Sequence, residues 1–339
     1  MAQEVRWGVL GTAQIAKVFV QTVKKAEGSS IVAVASRSLE RAQEWGKEQG
    51  IAKAYGSYEE LLRDPDVDAV YIPTPTHLHE SLTIAAAQHK KHVLCEKPLG
   101  CDVAQVKRMI AACKENNVQL MDGVMWTHHR RTEAMKEHIA KLGKINRVIT
   151  CLSIDNVPTD NIRMNVELEP LGALGDLGWY NVRALQMVYG ETTLPERVWA
   201  STKLNDSGVI VDFTAVLFYP GGSTASFDCS FNHCGWRQWL EVNGTEGSLR
   251  CEDLNYDERS RFSVTSAKRP WEKSDVEVEP CLAEVELVNA FNAIVRSGEL
   301  QQRWVDITLH NQIIVDALRT AAQTEEVVHL PQFLQQHGL

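Results

Sequence analysis

The sequence predicts an α/β protein of two domains. A doubly wound parallel sheet occupies residues 1–125, and residues 126–339 form an α+β domain on a large, mostly antiparallel sheet with one open face. Three observations predict this. Short continuous apolar runs alternate with helix-period stretches through the first 125 residues; beyond them the pattern changes to closely spaced alternating runs; and 339 residues exceed one ordinary core and suit two domains.

In the first part, Val5 to Leu10, Ile31 to Ala35, Ala69 to Ile72, His92 to Cys95 and Val118 to Met121 read as strands. Gln14 to Ala26, Leu39 to Gln49, His77 to Gln88 and Val103 to Asn116 read as helices between them. Continuous apolar strands separated by amphipathic helices need cover on both faces, and right-handed crossovers then give the doubly wound arrangement. After residue 125, Thr132 to Leu142 reads as a helix, Ile145 to Ile154 as a strand and Leu174 to Val188 as a helix. Between Glu196 and Arg250, the runs Val209 to Phe218, Ser223 to Phe231 and Trp239 to Val242 are punctuated by Pro220-Gly221-Gly222 and Asn243-Gly244, as antiparallel strands with tight turns require. Two helices follow near Glu284 to Ser297 and Trp304 to Ala322. No repeat or Pro/Ser-rich linker separates the halves, so the boundary reads as a packed junction.

Composition removes several function classes. Hydrophobic residues at 44% and charged residues at 23% describe a globular chain, and a net charge of −9 argues against a nucleic-acid or anionic-membrane surface. No run of about 18 apolar residues predicts a membrane span, and Met1-Ala2-Gln3-Glu4-Val5-Arg6-Trp7 has no secretory pattern. The cysteines, Cys95, Cys101, Cys113, Cys151, Cys229, Cys234, Cys251 and Cys281, show no paired C-x-x-C spacing. The expectation is reduced, mostly buried thiols in a cytoplasmic protein with no metal.

The turn after the first strand, Gly8-Val9-Leu10-Gly11-Thr12-Ala13-Gln14-Ile15-Ala16, carries a variant of the dinucleotide fingerprint, with Gly11, Ala13 and Ala16 at its three special positions. Gly11 makes the tight turn, Ala16 permits close helix packing, and Ala13 departs from the minimal bulk wanted beside a pyrophosphate. Phosphates would sit at the helix N-terminus, over Gly11, Thr12, Ala13, Gln14 and Ile15. An acidic residue about 20 positions on would select NAD. Here the chain reads Ala35-Ser36-Arg37-Ser38, with Arg41 one helical step later. Ser36, Arg37, Ser38 and Arg41 suit a 2′-phosphate, so the expected cofactor is NADP rather than NAD. The alternative is that Arg37 is a solvated surface charge.

Val93-Leu94-Cys95-Glu96-Lys97-Pro98-Leu99-Gly100, together with this loop, resembles the glucose–fructose oxidoreductase and inositol dehydrogenase family (Gfo/Idh/MocA). Pro73-Thr74-Pro75-Thr76-His77-Leu78-His79 matches the family's loop after the fourth strand. Gly172-Ala173-Leu174-Gly175-Asp176-Leu177-Gly178-Trp179-Tyr180 matches its second-domain motif. The resemblance spans essentially the whole chain. Ala35-Ser36-Arg37, Trp126-Thr127 and a Tyr in place of His in the second-domain motif make it most similar to the branch holding dihydrodiol dehydrogenases and NADP-dependent aldose dehydrogenases. It implies an N-terminal Rossmann domain, with Thr74, Pro75, His79, Glu96 and Lys97 bordering the cofactor. It also implies Trp126, Asp176 and Tyr180 at the substrate, and a homodimer through the second domain's sheet.

Hydride transfer to a carbonyl builds negative charge on oxygen, which calls for a proton donor and nearby positive charge. Lys97 follows a strand's carboxyl end, where open α/β sheets bind ligands, and Pro98 restricts it to extended geometry and permits a cis bond. Asp176 and Tyr180, i and i+4 on a predicted helix, point from one face. The expected catalytic set is Lys97 and Tyr180, with Asp176 orienting substrate hydroxyls or Lys97. Blander roles remain for each: a solvated Lys-Pro turn, a core aromatic at Tyr180, a helix N-cap at Asp176. His128 and His129 stand at no familiar metal spacing, and His77 and His79 read as loop hydrogen-bonders rather than catalysts, with His79 the stronger candidate through the resemblance. The expected function is NADP-dependent hydride exchange with a sugar or polyol hydroxyl or its carbonyl. A trans-dihydrodiol or dicarbonyl oxidoreductase is the alternative substrate reading, and a catalytically silent NADP-binding sensor the alternative from another class.

Overall fold

The computed structural model describes residues 4–155, 157–233, 235–255 and 260–338; Cys234 lies outside them. Contacts divide the chain into two units. One runs up to His128 and takes in Leu282–Leu309; the other comprises His129–Cys281 and His310–Leu339.

The first unit alternates β1 (Val5–Leu10), α1 (Gln14–Val23), β2 (Ser29–Ala35), α2 (Leu39–Gln49), β3 (Lys53–Tyr55), α3 (Tyr58–Leu62), β4 (Ala69–Ile72), α4 (His79–Gln88), β5 (His92–Cys95), α5 (Val103–Glu115) and β6 (Leu120–Asp122). The strands form one parallel sheet in the order β3-β2-β1-β4-β5-β6, with Val9 beside Val34 on one side and Tyr71 on the other. The order reverses between β1 and β4, the place where such sheets open a ligand crevice. β1, α2, β4 and β5 have the limits their apolar patterns predict. β3 and α3 were not expected, since three and five residues are too few to show a period. β6 starts two residues late because the Val118 N–H still bonds the Cys113 carbonyl at the end of α5. The helix expected from His77 begins at His79, after a 3-10 turn over Thr76–Leu78. Ser38 caps α2, its Oγ accepting from the Arg41 N–H at 3.3 Å.

The second unit contains α6 (Arg130–Ile139), β7 (Ile145–Ser153), α7 (Trp179–Tyr189), β8 (Arg197–Leu204), β9 (Ile210–Phe218), β10 (Thr224–Ser230), β11 (Arg237–Gly244), β12 (Gly247–Cys251), β13 (Arg261–Ser266) and β14 (Arg269–Glu277). The helices α8 (Ala283–Ser297) and α9 (Gln302–Thr324), the short β15 (Val328–His329) and α10 (Leu330–Gln336) complete the chain. Nine strands order as β14-β13-β12-β11-β7-β10-β9-β8-β15, every neighbouring pair antiparallel except β7 with β10. On β9, Val211, Phe213, Ala215 and Leu217 are buried while the residues between them are partly exposed, so one face is core and the other open. Thr150 of β7 bonds Asn181 of α7 at 3.1 Å, fixing that helix on the core face. β14 escaped the sequence reading because it is exposed along nearly its whole length and has no alternation.

A division at residue 125 assigns everything after it to the second domain. Contacts instead group Leu282–Leu309 with the first unit. The reason lies in α8, whose Leu287, Val288, Phe291 and Ile294 join the core formed by Val5, Trp7 and Val9 of β1 with Phe19 and Val20 of α1. Phe291 lies 5.0 Å from Trp7, Trp7 meets Phe19 edge-on at 5.2 Å, and Phe19 stacks on Tyr71 at 3.9 Å. The Trp7 indole N–H donates to Asn292 Oδ1 at 3.1 Å. Pairs of this kind add about 0.5–1.5 kcal/mol each beyond their buried area. Phe291→Ala is expected to destabilise the first unit by about 3–5 kcal/mol, read as a lower urea midpoint for the earliest transition. A midpoint unchanged from wild type would remove α8 from this core.

Candidate active-site residues

The site builds from the β1–α1 turn. Gly11 adopts φ +130°, a backbone conformation that side chains rarely tolerate, and its N–H bonds the Ala35 carbonyl at 2.9 Å. Ala13 precedes α1 at φ −69° and ψ 162°, ordinary extended geometry that costs alanine nothing. No side chain caps α1 and no acidic residue stands in its first turn. With Gln14 and Ile15 exposed there, the helix presents backbone N–H groups and its positive dipole end to a possible anion.

At the end of β2, Ser36 is buried, and its N–H bonds the Tyr55 carbonyl at 3.2 Å; Arg37, Ser38 and Arg41 are exposed. The Arg41 Nε–H donates to Thr12 Oγ1 at 2.8 Å, joining two of the expected cofactor residues across separate loops. The Ser38 oxygen is already engaged as a helix cap, which leaves its hydroxyl proton to donate elsewhere. Tyr58, at the start of α3, sits in the field of Arg37 and Arg41; burial pushes its phenol up and both guanidinium groups pull it down.

Beyond β4, the Thr74 Oγ1 is buried with no hydrogen-bond partner among the described residues. Pro75 is half-buried beside it. His79 is buried, with Nδ1 at 2.9 Å from the Pro98 carbonyl and Nε2 at 2.8 Å from the Thr74 carbonyl. Burial pushes its pKa down, against the pull of the two carbonyl bonds. Glu96 accepts from the Tyr71 hydroxyl at 2.6 Å and from the Lys97 N–H at 3.3 Å. Burial pushes its carboxyl up, against the pull of the Lys97 charge and the Tyr71 bond. A β-carbon on Gly123 would stand 3.0 Å from Glu96 Oε1, close enough to press on this carboxyl by a few tenths of an ångström. Lys97 is half-buried, and the Lys97–Pro98 peptide is cis. Trp126, expected to line a pocket, lies in the 3-10 turn Met125–His128 at 1% exposure, an indole packed as core.

In the second unit, the helix expected from Leu174 opens instead as one π turn, Leu174–Gly178, continuing into α7. Asp176 lies within that turn. The helix-cap alternative does not hold, because Gly178 precedes α7 and no side chain caps it. Asp176 is bound by Arg163, whose Nε donates to Oδ2 at 2.6 Å and whose Nη2 donates to Oδ1 at 3.4 Å. The Asp176 charge, working against burial, raises the Arg163 pKa, and Tyr180 adds to it. Tyr180 itself is half-buried, not enclosed in the core. Lys97 belongs to the first unit, Asp176 and Tyr180 to the second.

Three residues here escaped the sequence reading. Tyr71 carried one usable signal, a phenol within an otherwise apolar strand just before the Thr74 loop. Tyr58 and Arg163 carried none, since one opens a five-residue helix and the other sits in an irregular loop. Among the described residues no group of three His, Cys, Asp or Glu could hold a metal ion, and no helix is long and apolar enough to cross a membrane.

Comparison with known proteins agrees with this architecture. Residues 5–124 match the family described as an oxidoreductase family with an NAD-binding Rossmann fold, and residues 132–250 match the GFO/IDH/MocA C-terminal domain. A D-xylose 1-dehydrogenase (NADP(+)) from Haloferax volcanii is 33% identical over 96% of this chain and 99% of its own. The trans-1,2-dihydrobenzene-1,2-diol dehydrogenase of Bos taurus is 34% identical over 73% of this chain and 74% of its own. A crystal structure of a 3-ketoreductase from Actinomadura kijaniata, in complex with NADP and TDP-benzene, superposes with a TM-score of 0.87 at 28% identity, covering 94% of this chain and 98% of that one. The chain therefore belongs to the Gfo/Idh/MocA family of oxidoreductases.

Proposed function

We propose that this oxidoreductase uses NADP and exchanges a hydride with a sugar or polyol hydroxyl or the matching carbonyl. The carrying observation lies in the first unit: an uncapped helix N-terminus without acidic residues, beside Arg37 and Arg41, with the buried Thr74 hydroxyl lacking a protein partner. These residues fit a dinucleotide. Gly11, Thr12, Ala13, Gln14 and Ile15 would hold its pyrophosphate, Ser36, Arg37, Ser38 and Arg41 its 2′-phosphate, and Thr74, Pro75, His79, Glu96 and Lys97 would border its far end. When bound, NADP supplies the hydride acceptor or, reduced, the donor. The names of the Haloferax and bovine relatives favour a sugar first and a dihydrodiol second.

The Tyr180 phenolate takes the proton from the substrate hydroxyl during oxidation, and the neutral phenol returns it to the carbonyl oxygen during reduction. The Lys97 ammonium stabilises negative charge on that oxygen in either direction. Asp176, held by Arg163, keeps a fixed carboxylate near the phenol and can accept from a neighbouring substrate hydroxyl.

Tyr180→Phe is expected to lower kcat by about 10²–10⁴-fold in an NADPH absorbance assay over aldoses and dicarbonyls, with NADPH affinity retained. Comparable losses in both would return Tyr180 to a packing role. Arg37→Ala should weaken NADPH by about 10- to 100-fold, as the loss of a charge-assisted phosphate contact predicts, and leave NADH nearly untouched. A matching effect on both cofactors would contradict the 2′-phosphate assignment.

We also infer a homodimer through the open face of the nine-stranded sheet. There Arg197 lies 4.3 Å over Phe218, Arg250 lies 4.7 Å over Trp239, and Trp199 is half-buried. Light scattering should give twice the chain mass for wild type and the monomer mass for Trp199→Asp; a monomeric wild type ends this reading. The seven described cysteines are all free and six are buried, which fits a reducing, cytoplasmic setting that cell fractionation would test.

A further inference from the structure

We propose that Arg163 is a positioning residue of the reaction centre, forming with Asp176 a charge pair that sets the ionisation of the Tyr180 phenol. The proposal rests on the reading of Tyr180 as the proton carrier and adds what controls it.

Arg163 is anchored before its side chain begins. The Asn161 Oδ1 accepts from the Arg163 N–H at 3.0 Å, and the 3-10 turn Ile162–Met164 fixes the direction of departure. The guanidinium then forks onto both Asp176 oxygens. The carboxylate is 14% exposed and the guanidinium 39%, so water screens this pair less than a surface ion pair. Asp176 stands four residues before Tyr180, in the π turn that runs straight into α7, which puts the carboxylate and the phenol on neighbouring turns. Tyr180 adds, as the smallest contribution, to the rise in the Arg163 pKa that Asp176 dominates.

A phenol that must give up and regain its proton near neutral pH gains from nearby positive charge and loses from nearby negative charge. In this arrangement the two signs come as one salt-bridged unit, so neither field reaches the phenol alone. Removing either partner exposes the other. Without Arg163, the carboxylate's field raises the phenol pKa; without Asp176, the guanidinium's field lowers it. Among the described residues of the second unit, Glu169 acts on Arg163, and the Cys229 thiol, which burial pushes well up and keeps neutral, lies in the fields of Asp228, Asp212 and Asp176. The Glu169, Cys229, Asp212 and Asp228 side chains stay the same across the variants.

The test is an ultraviolet titration of tyrosinate in the full chain. Wild type, Arg163→Met, Asp176→Asn, the double variant and Arg163→Lys are each compared with a partner that also carries Tyr180→Phe, so that the difference isolates one phenol. Arg163→Met should move the Tyr180 midpoint up by about one pH unit, and Asp176→Asn should move it down by a similar amount. The double variant should fall between them, and Arg163→Lys close to wild type. The pH profile of kcat/KM should move in the same directions. Two single variants shifting the same way, or a midpoint that stays put while activity falls, would overturn the proposal and leave the pair a structural clamp. Should Arg163→Met fail to fold, Asp176→Asn and Arg163→Lys still decide it by their directions. If the opposite shifts appear while Tyr180→Phe keeps full turnover, the pair's control of the phenol stands and the proton-carrier reading is what fails.

Discussion

The half-buried carboxyl of Glu96 is the constraint around which this part of the first unit is arranged. A carboxyl removed from water costs several kcal/mol unless its oxygens are bonded. Here the Tyr71 hydroxyl and the Lys97 N–H supply the bonds. The Tyr71 ring is in turn held by Phe19, Phe19 by Trp7, and Trp7 by Phe291 and Asn292 on α8. A row of aromatic rings therefore runs from a helix late in the chain to the residue that precedes the strand-end lysine. The grouping of α8 with the nucleotide-binding sheet places the hydroxyl that this carboxyl needs.

The second unit meets a similar demand by other means. Its half-buried carboxylate at Asp176 is met by a guanidinium from an irregular loop, and the helix bearing Tyr180 is seated by a side-chain bond to the sheet. A single π turn holds Asp176 and runs directly into the helix that bears Tyr180.

The sequence made most of the fold legible where its signal was local and repeated. Buried parallel strands such as Ala69–Ile72 and His92–Cys95 are uninterrupted apolar runs, and Leu39–Gln49 carries both a serine cap and a closing glycine. Elements without a period stayed hidden: β3 and α3 are too short, and β14 is exposed almost throughout. The return of Leu282–Leu309 to the first unit is a long-range packing choice that no local pattern carries. The site followed the same division. Arg41 and Thr12 could be picked out by position on their loops, but their bond to each other could not. Ser38 looked like a phosphate ligand and turned out to cap a helix as well. Trp126 looked like a pocket wall and is sealed in the core. Arg163 showed nothing in advance, because an arginine in an irregular segment is indistinguishable from a solvated one until its carboxylate partner is in place.

The β1–α1 turn changes how glycine-rich fingerprints should be weighed. Only Gly11 sits at a dihedral angle closed to other residues, whereas Ala13 occupies a position that most amino acids adopt without strain. A pattern search demanding glycine at both places would pass over this chain. A search keyed to the one obligatory glycine, followed by a capless helix start free of acidic residues, would retain it along with others whose fingerprint has drifted in the same way.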